Sequence, residues 1–223
     1  MAEPQLIAEG RASEILDLGG GRVLRRFKGG GNPQREVLVM RHAREHGYPV
    51  PEVFEVAADS LVIERIEGPT MLEALLAAPA TLEANTRLLV RLHDELHRIE
   101  APEGLAAFGE GDRLLHLDLH PANVILSPAG PVVIDWANAR RGPALLDIVY
   151  TWIIVATSSG AGRLGRELVD HFLAHFDRDE LLPFVPLAAE HRLADENVLD
   201  EERARIRVLA AHARACQASA GER

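Results

Sequence analysis

The stretch from His116 to Asp135 constrains the fold of this chain more than any other. It reads H-L-D-L-H-P-A-N-V-I-L-S-P-A-G-P-V-V-I-D, and its two apolar runs, V-I-L and V-V-I, flank the turn cluster S-P-A-G-P. Two short apolar runs around such a turn predict a buried β-hairpin. Asn123 precedes the first run and Asp135 ends the second, so the hairpin is expected to bring both to the same end.

A second carboxylate, Asp118, lies five residues before Asn123 in the same stretch. A carboxylate that orients a hydroxyl, together with carboxylate and amide oxygens that bind Mg²⁺, is what a magnesium-dependent phosphoryl transferase needs. The alternative is a structural loop in which Asp118 caps a turn and Asn123 tolerates a left-handed backbone. Asp135, at the expected short distance, argues against that alternative.

Composition limits the classes of function. The 223 residues are enough to build a core, and 47% apolar and 26% charged residues are ordinary for a globular protein. The net charge of −10 argues against a nucleic-acid or acidic-membrane binder, because both need clustered cations. We see no signal peptide or membrane span, and the lone Cys216 has no partner for an internal disulfide. We therefore expect a cytoplasmic enzyme.

The N-terminal part of the chain predicts a small antiparallel sheet with one helix. That helix should begin at Asn32, as N-cap before a proline, and end at Gly47. Two glycine triplets lack the spacing of a phosphate loop and instead predict a turn and a linker. If any loop here covers phosphates, the connection 10–13 is better placed. Five strands are expected near residues 6–8, 13–18, 22–28, 53–57 and 61–63.

Beyond the Gly68-Pro69 dipeptide the pattern becomes mostly helical, so we place a domain boundary at residue 67. An N-terminal nucleotide-binding lobe would span 1–67, and a helical C-terminal lobe with the catalytic loop and the acceptor site would span 68–223. Besides the hairpin, the C-terminal part predicts helices near residues 81–99, 144–156, 163–176, 179–193 and 199–217.

The central stretch also has a recognisable spacing. H-L-D-L with Asn123 keeps the order of the protein-kinase catalytic loop H-R-D-L-x-x-x-N, and V-V-I-D supplies an aspartate where D-F-G would follow. The whole stretch resembles the signature of the aminoglycoside phosphotransferase and choline kinase-like family, through H-L-D-L-H-P-A-N-V-I-L and V-V-I-D-W-A-N-A-R-R-G-P-A-L-L-D. Three other segments resemble further elements of that family: its third strand (R-V-L-R-R), its first helix (R-E-V-L-V-M-R) and its hinge (L-V-I-E-R-I-E-G-P-T-M).

This resemblance covers residues 5 to 160 and implies an α+β, two-lobed protein-kinase-like fold, with a small antiparallel-sheet N-lobe and a mainly helical C-lobe. It implies that Asp118 is the catalytic group that orients the acceptor hydroxyl. Asn123 and Asp135 would be the Mg²⁺ ligands. Asp147 would brace the catalytic loop, as would His116.

The resemblance also implies a nucleotide site. Glu36 would pair with a cation of the third strand, where the family has Lys or Arg. Arg25 is favoured because Val23 shares its face of the strand, while Arg26 and Lys28 remain candidates. Ser13 of the first connection and the hinge residues Glu64 and Ile66 complete the predicted nucleotide contacts.

The function implied is transfer of the γ-phosphate of ATP or GTP, with Mg²⁺, to a hydroxyl of an aminoglycoside-, amino-alcohol- or sugar-like small molecule. Acidic residues concentrate between 177 and 202, which fits a cationic acceptor or a solvated helix face. A nucleotide-binding pseudokinase that acts as a sensor or scaffold is the alternative, because the phosphate loop is weak and the third strand lacks its Lys. A metal-dependent hydrolase built on the histidines is third: His93 and His97 are four apart but lack the H-E-x-x-H order.

Overall fold

The computed structural model describes residues 4–10, 13–28, 33–158 and 162–221. An antiparallel sheet of five strands forms the N-terminal lobe, in the order β1-β2-β3-β5-β4. The predicted two-lobed α+β architecture is therefore confirmed. The strands are β1 (Gln5–Glu9), β2 (Ser13–Gly19), β3 (Arg22–Phe27), β4 (Val53–Val56) and β5 (Ser60–Glu64).

The first three strands form the expected meander. The first glycine triplet is the turn between β2 and β3, and its three glycines all have positive φ. Side chains other than glycine rarely adopt that conformation, so the triplet serves the turn. The second triplet, 29–31, and the predicted N-cap Asn32 lie outside the described residues, as do residues 11 and 12 of the connection between β1 and β2.

One helix, α1 (Pro33–Glu45), packs against the sheet. It ends before Gly47, whose φ of 79° fits the predicted stop. Its buried face carries Val37, Val39, Met40 and Ala43, and Glu36 is buried with them in the first turns. The helix therefore brings one carboxylate into the space between the two lobes.

The C-terminal lobe is mainly helical around one continuous core. No helix among the described residues is both long and apolar enough to span a membrane. The elements are α2 (Met71–Ala77), α3 (Leu82–Leu96), β6 (Arg113–Leu115), β7 (Val124–Ser127), β8 (Gly130–Val133), β9 (Arg140–Gly142), α4 (Ala144–Thr157), α5 (Gly162–Leu173), α6 (Arg178–Leu181), α7 (Val185–Ala194) and α8 (Asp200–Gly221).

The helix predicted over 179–193 is wrong as a single element. The chain forms α6, a short 3-10 turn at Leu182–Phe184, and then α7. Pro183 stands within the turn, where it can donate no helical hydrogen bond and would crowd the preceding turn of an α-helix. The break lets α7 pack against α4.

The predicted hairpin is present as β7 and β8, with Val124 opposite Val133. It also contacts the segment before β4 and the segment that follows the hinge. The N–H of Leu126 donates to the carbonyl oxygen of Pro69 (2.8 Å), and the N–H of Val133 donates to that of Pro49 (2.8 Å). The boundary predicted at residue 67 falls in the connection between β5 and α2, and the domain division itself stays a prediction.

Gly68 marks the closest approach of this connection to the hairpin. Its φ is 141°, and a Cβ added there would lie 2.4 Å from the carbonyl oxygen of Leu126. No side chain fits that gap without moving the backbone. The spacing of hinge and hairpin therefore requires glycine at this position.

We expect Gly68→Ala to destabilise the protein by about 1–3 kcal/mol more than Gly104→Ala, because it adds overpacking to backbone strain. Gly104 is the matched control: its φ is also positive, at 81°, but its added Cβ would have no atom within 4 Å. Urea unfolding of the two variants measures the difference. Equal losses would contradict the close packing of hinge on hairpin.

Candidate active site

The loop that follows β6 presents Asp118 at its centre. Asn123 fixes this residue from behind: its Nδ2 donates to the backbone carbonyl of Asp118 (2.9 Å) and to Oδ2 (3.1 Å). His120 Nε2 lies 3.5 Å from Oδ1, and the Asp118 side chain keeps 17% of its surface exposed. Asp118 is thus oriented and still accessible.

Asp118 is held as a carboxylate. Burial alone would raise its pKa, but the hydrogen bond and electrostatic effect of His120, together with the charge of Arg192, hold the pKa below its ordinary value. An ionised carboxylate accepts a hydrogen bond from an incoming hydroxyl. The geometry and charge therefore suit the hydroxyl-orienting role predicted for this residue.

Asp147 braces this loop from below. It is fully buried in α4, and its carboxylate accepts from the backbone N–H of His116 (3.1 Å) and of Leu117 (2.6 Å). His97 Nε2 lies 3.0 Å from Oδ2. Burial would raise the pKa of Asp147, yet its interactions with His97 lower it to about 2. The carboxylate thus stays charged and holds the start of the loop.

The loop carries strain at Leu117, whose φ of 59° is unusual for a side chain with a Cβ. Leu117 is fully buried, and its N–H is one of the two bound by Asp147. The sequence identified this position only as the place of the kinase Arg. Its left-handed backbone could not be foreseen, because leucine has no preference for it.

His116 has the structural role that was expected of it. The N–H of Asp118 donates to its Nδ1 (3.2 Å), so the neutral ring carries its hydrogen on Nε2, which donates to the carbonyl oxygen of Ile134 (3.1 Å). The ring also packs at 4.5 Å against that of Trp136. His116 therefore joins the catalytic loop to the end of β8, next to Asp135.

Asn123 and Asp135 meet at one end of the hairpin, as predicted. The N–H of Ile134 donates to the carbonyl oxygen of Asn123 (3.0 Å). Because Asn123 Nδ2 is bound to Asp118, its Oδ1 is left as the free amide atom, and the Asp135 side chain is 43% exposed. One amide oxygen and one accessible carboxylate are ligands of the type that Mg²⁺ takes. These residues fit the metal.

Arg25 stands opposite them and is the centre of an ionic network. Its Nη1 donates to Glu36 (2.5 Å), its Nη2 to Asp135 (2.7 Å) and its Nε to the hydroxyl of Ser13 (3.1 Å). Arg26 and Lys28 instead pair with Glu14 and Glu9 on the exposed surface. Of the three candidate cations, Arg25 is the one in the cleft.

Glu36 is an unusual carboxylate in this network. Burial is the largest influence and raises its pKa to about 7, against the opposing effect of Arg25. Arg25 itself is held protonated, because the charges of Glu36 and Asp135 outweigh the effect of its burial on the pKa. The ion pair therefore forms fully only as Glu36 ionises near neutral pH.

The remaining predicted nucleotide residues line one cleft of about 950 Å³ between the lobes. The N–H groups of Glu64 and Arg65 are bound to the carbonyl oxygens of Glu52 and Gly21 (2.8 and 2.9 Å). In the described part of the chain, the N–H of Ile66 has no protein partner. A planar base could use that donor. The cleft is lined by Ser13, Arg25, Glu36, Glu64, Ile66, Asn123 and Asp135 among others.

The histidines do not assemble a metal site. His93 contacts the carbonyl oxygen of Leu89 and the hydroxyl of Thr151 (2.9 Å each), while His97 contacts Asp147. Across the described ranges no group of three or more His, Cys, Asp or Glu side chains could hold a metal ion. The arrangement gives no support to the hydrolase alternative.

One group of side chains beside Asp118 escaped the sequence analysis. Arg140, Tyr150, His191 and Arg192 come from β9, α4 and α7, and they lie within electrostatic reach of one another. They follow no motif, and the positions span more than fifty residues. The run R-R after Asp135 was the one visible signal, and its first arginine is Arg140.

Comparison with known proteins agrees with this geometry. A model of the phosphotransferase enzyme family matches residues 105–194, which include the catalytic loop and the hairpin. The predicted family resemblance is confirmed. A RIO domain model also matches residues 31–141.

Solved structures of phosphotransferases share the fold over nearly the whole chain. Aminoglycoside phosphotransferase APH(4)-Ia superposes with a TM-score of 0.72 at 15% identity, covering 95% of this chain and 93% of its own. A choline/ethanolamine kinase family protein from Mesorhizobium loti gives 0.63 at 15%, covering 96% and 87%. A microcompartment-associated aminopropanol kinase gives 0.57 at 15%, covering 95% and 90%. At this identity the likeness establishes the fold.

Among curated proteins, the chain is 25% identical over 183 residues to a probable bifunctional tRNA threonylcarbamoyladenosine biosynthesis protein of Methanoculleus marisnigri. The match covers 74% of this chain and 31% of that relative. The chain therefore spans about a third of the length of this relative.

We expect Asp147→Asn to cost about 3–5 kcal/mol of stability, as when one partner of a buried charged pair is removed. Asparagine offers one acceptor oxygen to three donors and turns an NH₂ towards one of them. The control is Asp170→Asn, whose side chain is 77% exposed and should change stability by less than about 0.5 kcal/mol. Urea unfolding measures both, and a loss below about 1 kcal/mol for Asp147→Asn would disprove the bracing role.

Glu36 should make stability fall as pH rises. Its folded pKa of about 7 exceeds the ordinary 4.5, so between these values the folded state binds more protons than the unfolded one. From about pH 5.5 to about pH 8, the wild-type unfolding free energy should drop about 2 kcal/mol more than that of Glu36→Gln. The exposed Glu83→Gln should follow the wild type. Parallel pH profiles for wild type and Glu36→Gln would refute the assignment.

Proposed function

We propose that this protein is a phosphotransferase that moves the γ-phosphate of ATP, or of GTP, to a hydroxyl of a small molecule. The observation that carries the proposal is a cleft lined by Asn123 and Asp135 on one side and by the Arg25–Glu36 pair on the other, with Asp118 hydrogen-bonded to Asn123. An aminoglycoside-, amino-alcohol- or sugar-like acceptor is proposed from the family resemblance.

Each residue has a defined task in this proposal. Asp118 accepts the hydrogen bond of the acceptor hydroxyl and aligns it for attack, while Arg25 binds phosphate oxygens from the opposite lobe. Asn123 and Asp135 hold Mg²⁺, which when bound neutralises charge on the phosphates. Ser13, Glu64 and Ile66 position the nucleotide in the cleft. Catalysis then rests on positioning and charge stabilisation.

A pseudokinase that senses nucleotide or acts as a scaffold is the second candidate. It is supported by the pairing of Arg25 with Oδ1 of Asp135, since this cation would compete with a metal ion for the carboxylate. The tRNA-biosynthesis relative and the RIO domain match are compatible with such a role beside a macromolecule. ATP turnover distinguishes the two candidates.

Magnesium with ATP at about 100 times its dissociation constant should stabilise the protein by roughly 2.7 kcal/mol, a rise in Tm of about 5–10 °C. Asp118→Asn should keep this shift and lose turnover by about 10²–10⁴-fold, as when a proton-handling group is removed. Asp135→Asn should lose the magnesium-dependent part of the shift. Asp170→Asn serves as the matched surface control.

The outcomes separate cleanly. If no nucleotide shifts Tm in a magnesium-dependent way, the kinase proposal fails. A shift without turnover against any acceptor favours the pseudokinase. If Asp118→Asn abolishes the magnesium effect and Asp135→Asn retains it, the two roles have been assigned to the wrong residues.

A further inference from the structure

A group of cationic side chains lies near the catalytic loop. Arg140 in β9 pairs in register with Leu115 in β6, the residue directly before His116. The pairing fixes the distance from Arg140 to the loop that carries Asp118. In the next strand position, Arg141 donates to the carbonyl oxygen of Gly111 (2.7 Å), as expected for a side chain on the opposite face.

Two further elements bring side chains to the same place. Tyr150 in α4 is buried, and its Oη lies 2.5 Å from Nδ1 of His191 in α7. Burial raises the pKa of Tyr150, so its hydroxyl stays protonated and donates to Nδ1. Burial together with the charge of Arg140 lowers the pKa of His191, so the ring is neutral and carries its hydrogen on Nε2. The ring packs against Phe108 at 4.4 Å.

The two arginines are only partly neutralised. Arg140 is half-buried, its Nη1 donates to the carbonyl oxygens of Asn138 and Ala139 (3.2 and 3.0 Å), and it forms no ion pair with any described residue. Arg192 pairs with Asp195 (3.2 Å), and its side chain is 20% exposed. Arg192 also acts electrostatically on Asp118. The two carbonyl oxygens replace part of the hydration that the Arg140 guanidinium has lost, but no carboxylate of the described residues pairs with its charge.

These contacts favour a negative charge on the acceptor. An amine placed against the guanidinium groups of Arg140 and Arg192 would suffer like-charge repulsion from both, which the nearby carboxylates of Asp118 and Asp195 offset only in part. A carboxylate or phosphate would instead receive the forked N–H groups of a guanidinium, with the Nε2–H of His191 as a further donor. The acidic residues concentrated between 177 and 202 contribute only Asp195 to this group of contacts.

We propose that the hydroxyl acceptor is an anionic alcohol, whose carboxylate or phosphate group binds Arg140 and Arg192 beside Asp118. This inference rests on the proposed function, because it names the class of acceptor for the same site. It favours an anionic sugar-like or other alcohol over the cationic aminoglycoside- and amino-alcohol-like acceptors that the family resemblance alone proposes. Tyr150 and His191 are positioning residues: they hold α7, and with it Arg192, against α4. The anionic group anchors the alcohol while Asp118 aligns its hydroxyl.

Direct anion binding tests the arginine site without turnover. With the cleft filled by magnesium and a non-hydrolysable ATP analogue, inorganic sulfate is titrated and followed by NMR of the arginine side chains. We expect saturable binding that weakens at least tenfold in Arg140→Gln and in Arg192→Gln, is partly restored in Arg140→Lys, and is unchanged in Arg141→Gln. Equal sulfate affinity in wild type and Arg140→Gln overturns the proposal.

Turnover against matched three-carbon alcohols tests the acceptor class. The series is glycerol, glycerate, glycerol 3-phosphate and 3-amino-1,2-propanediol, which differ mainly in charge. We expect kcat/KM for the two anions to exceed the others by at least tenfold, with this preference lost in Arg140→Gln through KM for the acceptor and not KM for ATP. Arg141→Gln should retain it.

The results also separate this inference from the proposed function. Preference for the amine, or an anion preference that survives in Arg140→Gln, refutes the anionic acceptor and leaves the phosphotransferase standing. Absence of a magnesium-dependent nucleotide shift refutes the phosphotransferase, and sulfate titration without nucleotide still decides whether Arg140 binds anions.

Discussion

Asp147 lies fully buried in α4 and accepts hydrogen bonds from two successive backbone N–H groups and a contact from His97. The two N–H groups belong to the start of the catalytic loop, where Leu117 takes a left-handed conformation. The next residue is Asp118, whose side chain keeps 17% of its surface exposed. Without a buried acceptor below it, the strained backbone would have no compensating interaction. The reactive end of the loop thus depends on a carboxylate that no substrate touches.

A second network of partly buried charged groups lies across the cleft. Arg25 joins Ser13, Glu36 and Asp135, so one guanidinium connects the sheet, α1 and the end of the hairpin. The positive charge of Arg25 lies between two carboxylates in a partly buried space, which limits the cost of desolvating all three groups. On the far side of Asp118 the balance differs, because Arg140 lacks such a counter-charge among the described residues. The arginine in the predicted nucleotide cleft therefore has carboxylate partners, whereas Arg140, near the expected acceptor, has none among the described residues.

Local sequence was sufficient for much of this arrangement. The hairpin followed from two apolar runs around a turn, and with it came the placement of Asn123 next to Asp135. The five strands and most helices followed from periodicity and from glycine and proline. The roles of the site residues remain predictions, although the structure brings the predicted nucleotide and metal residues to one cleft and joins Asp118 to them through Asn123.

Other features depend on contacts between distant segments, which local patterns do not encode. The three-residue strands β6 and β9 are too short to show a period, yet their pairing places Arg140 beside the catalytic loop. Tyr150 and His191 meet across forty-one positions through packing of α4 on α7. Pro183 does signal the break between α6 and α7, but the helical pattern on both sides of this proline predicted a single helix.

Gly68 has a mechanical consequence. The backbone there runs so close to Leu126 that an added Cβ would lie 2.4 Å from its carbonyl oxygen, while β1 lies at the opposite edge of the sheet's first three strands. A rotation of one lobe against the other would turn about this fixed contact, so displacement is small at the hinge and grows with distance from it. A small change of angle at Gly68 would therefore displace β1 and β2, which line the cleft, much further than it displaces the residues next to the hinge.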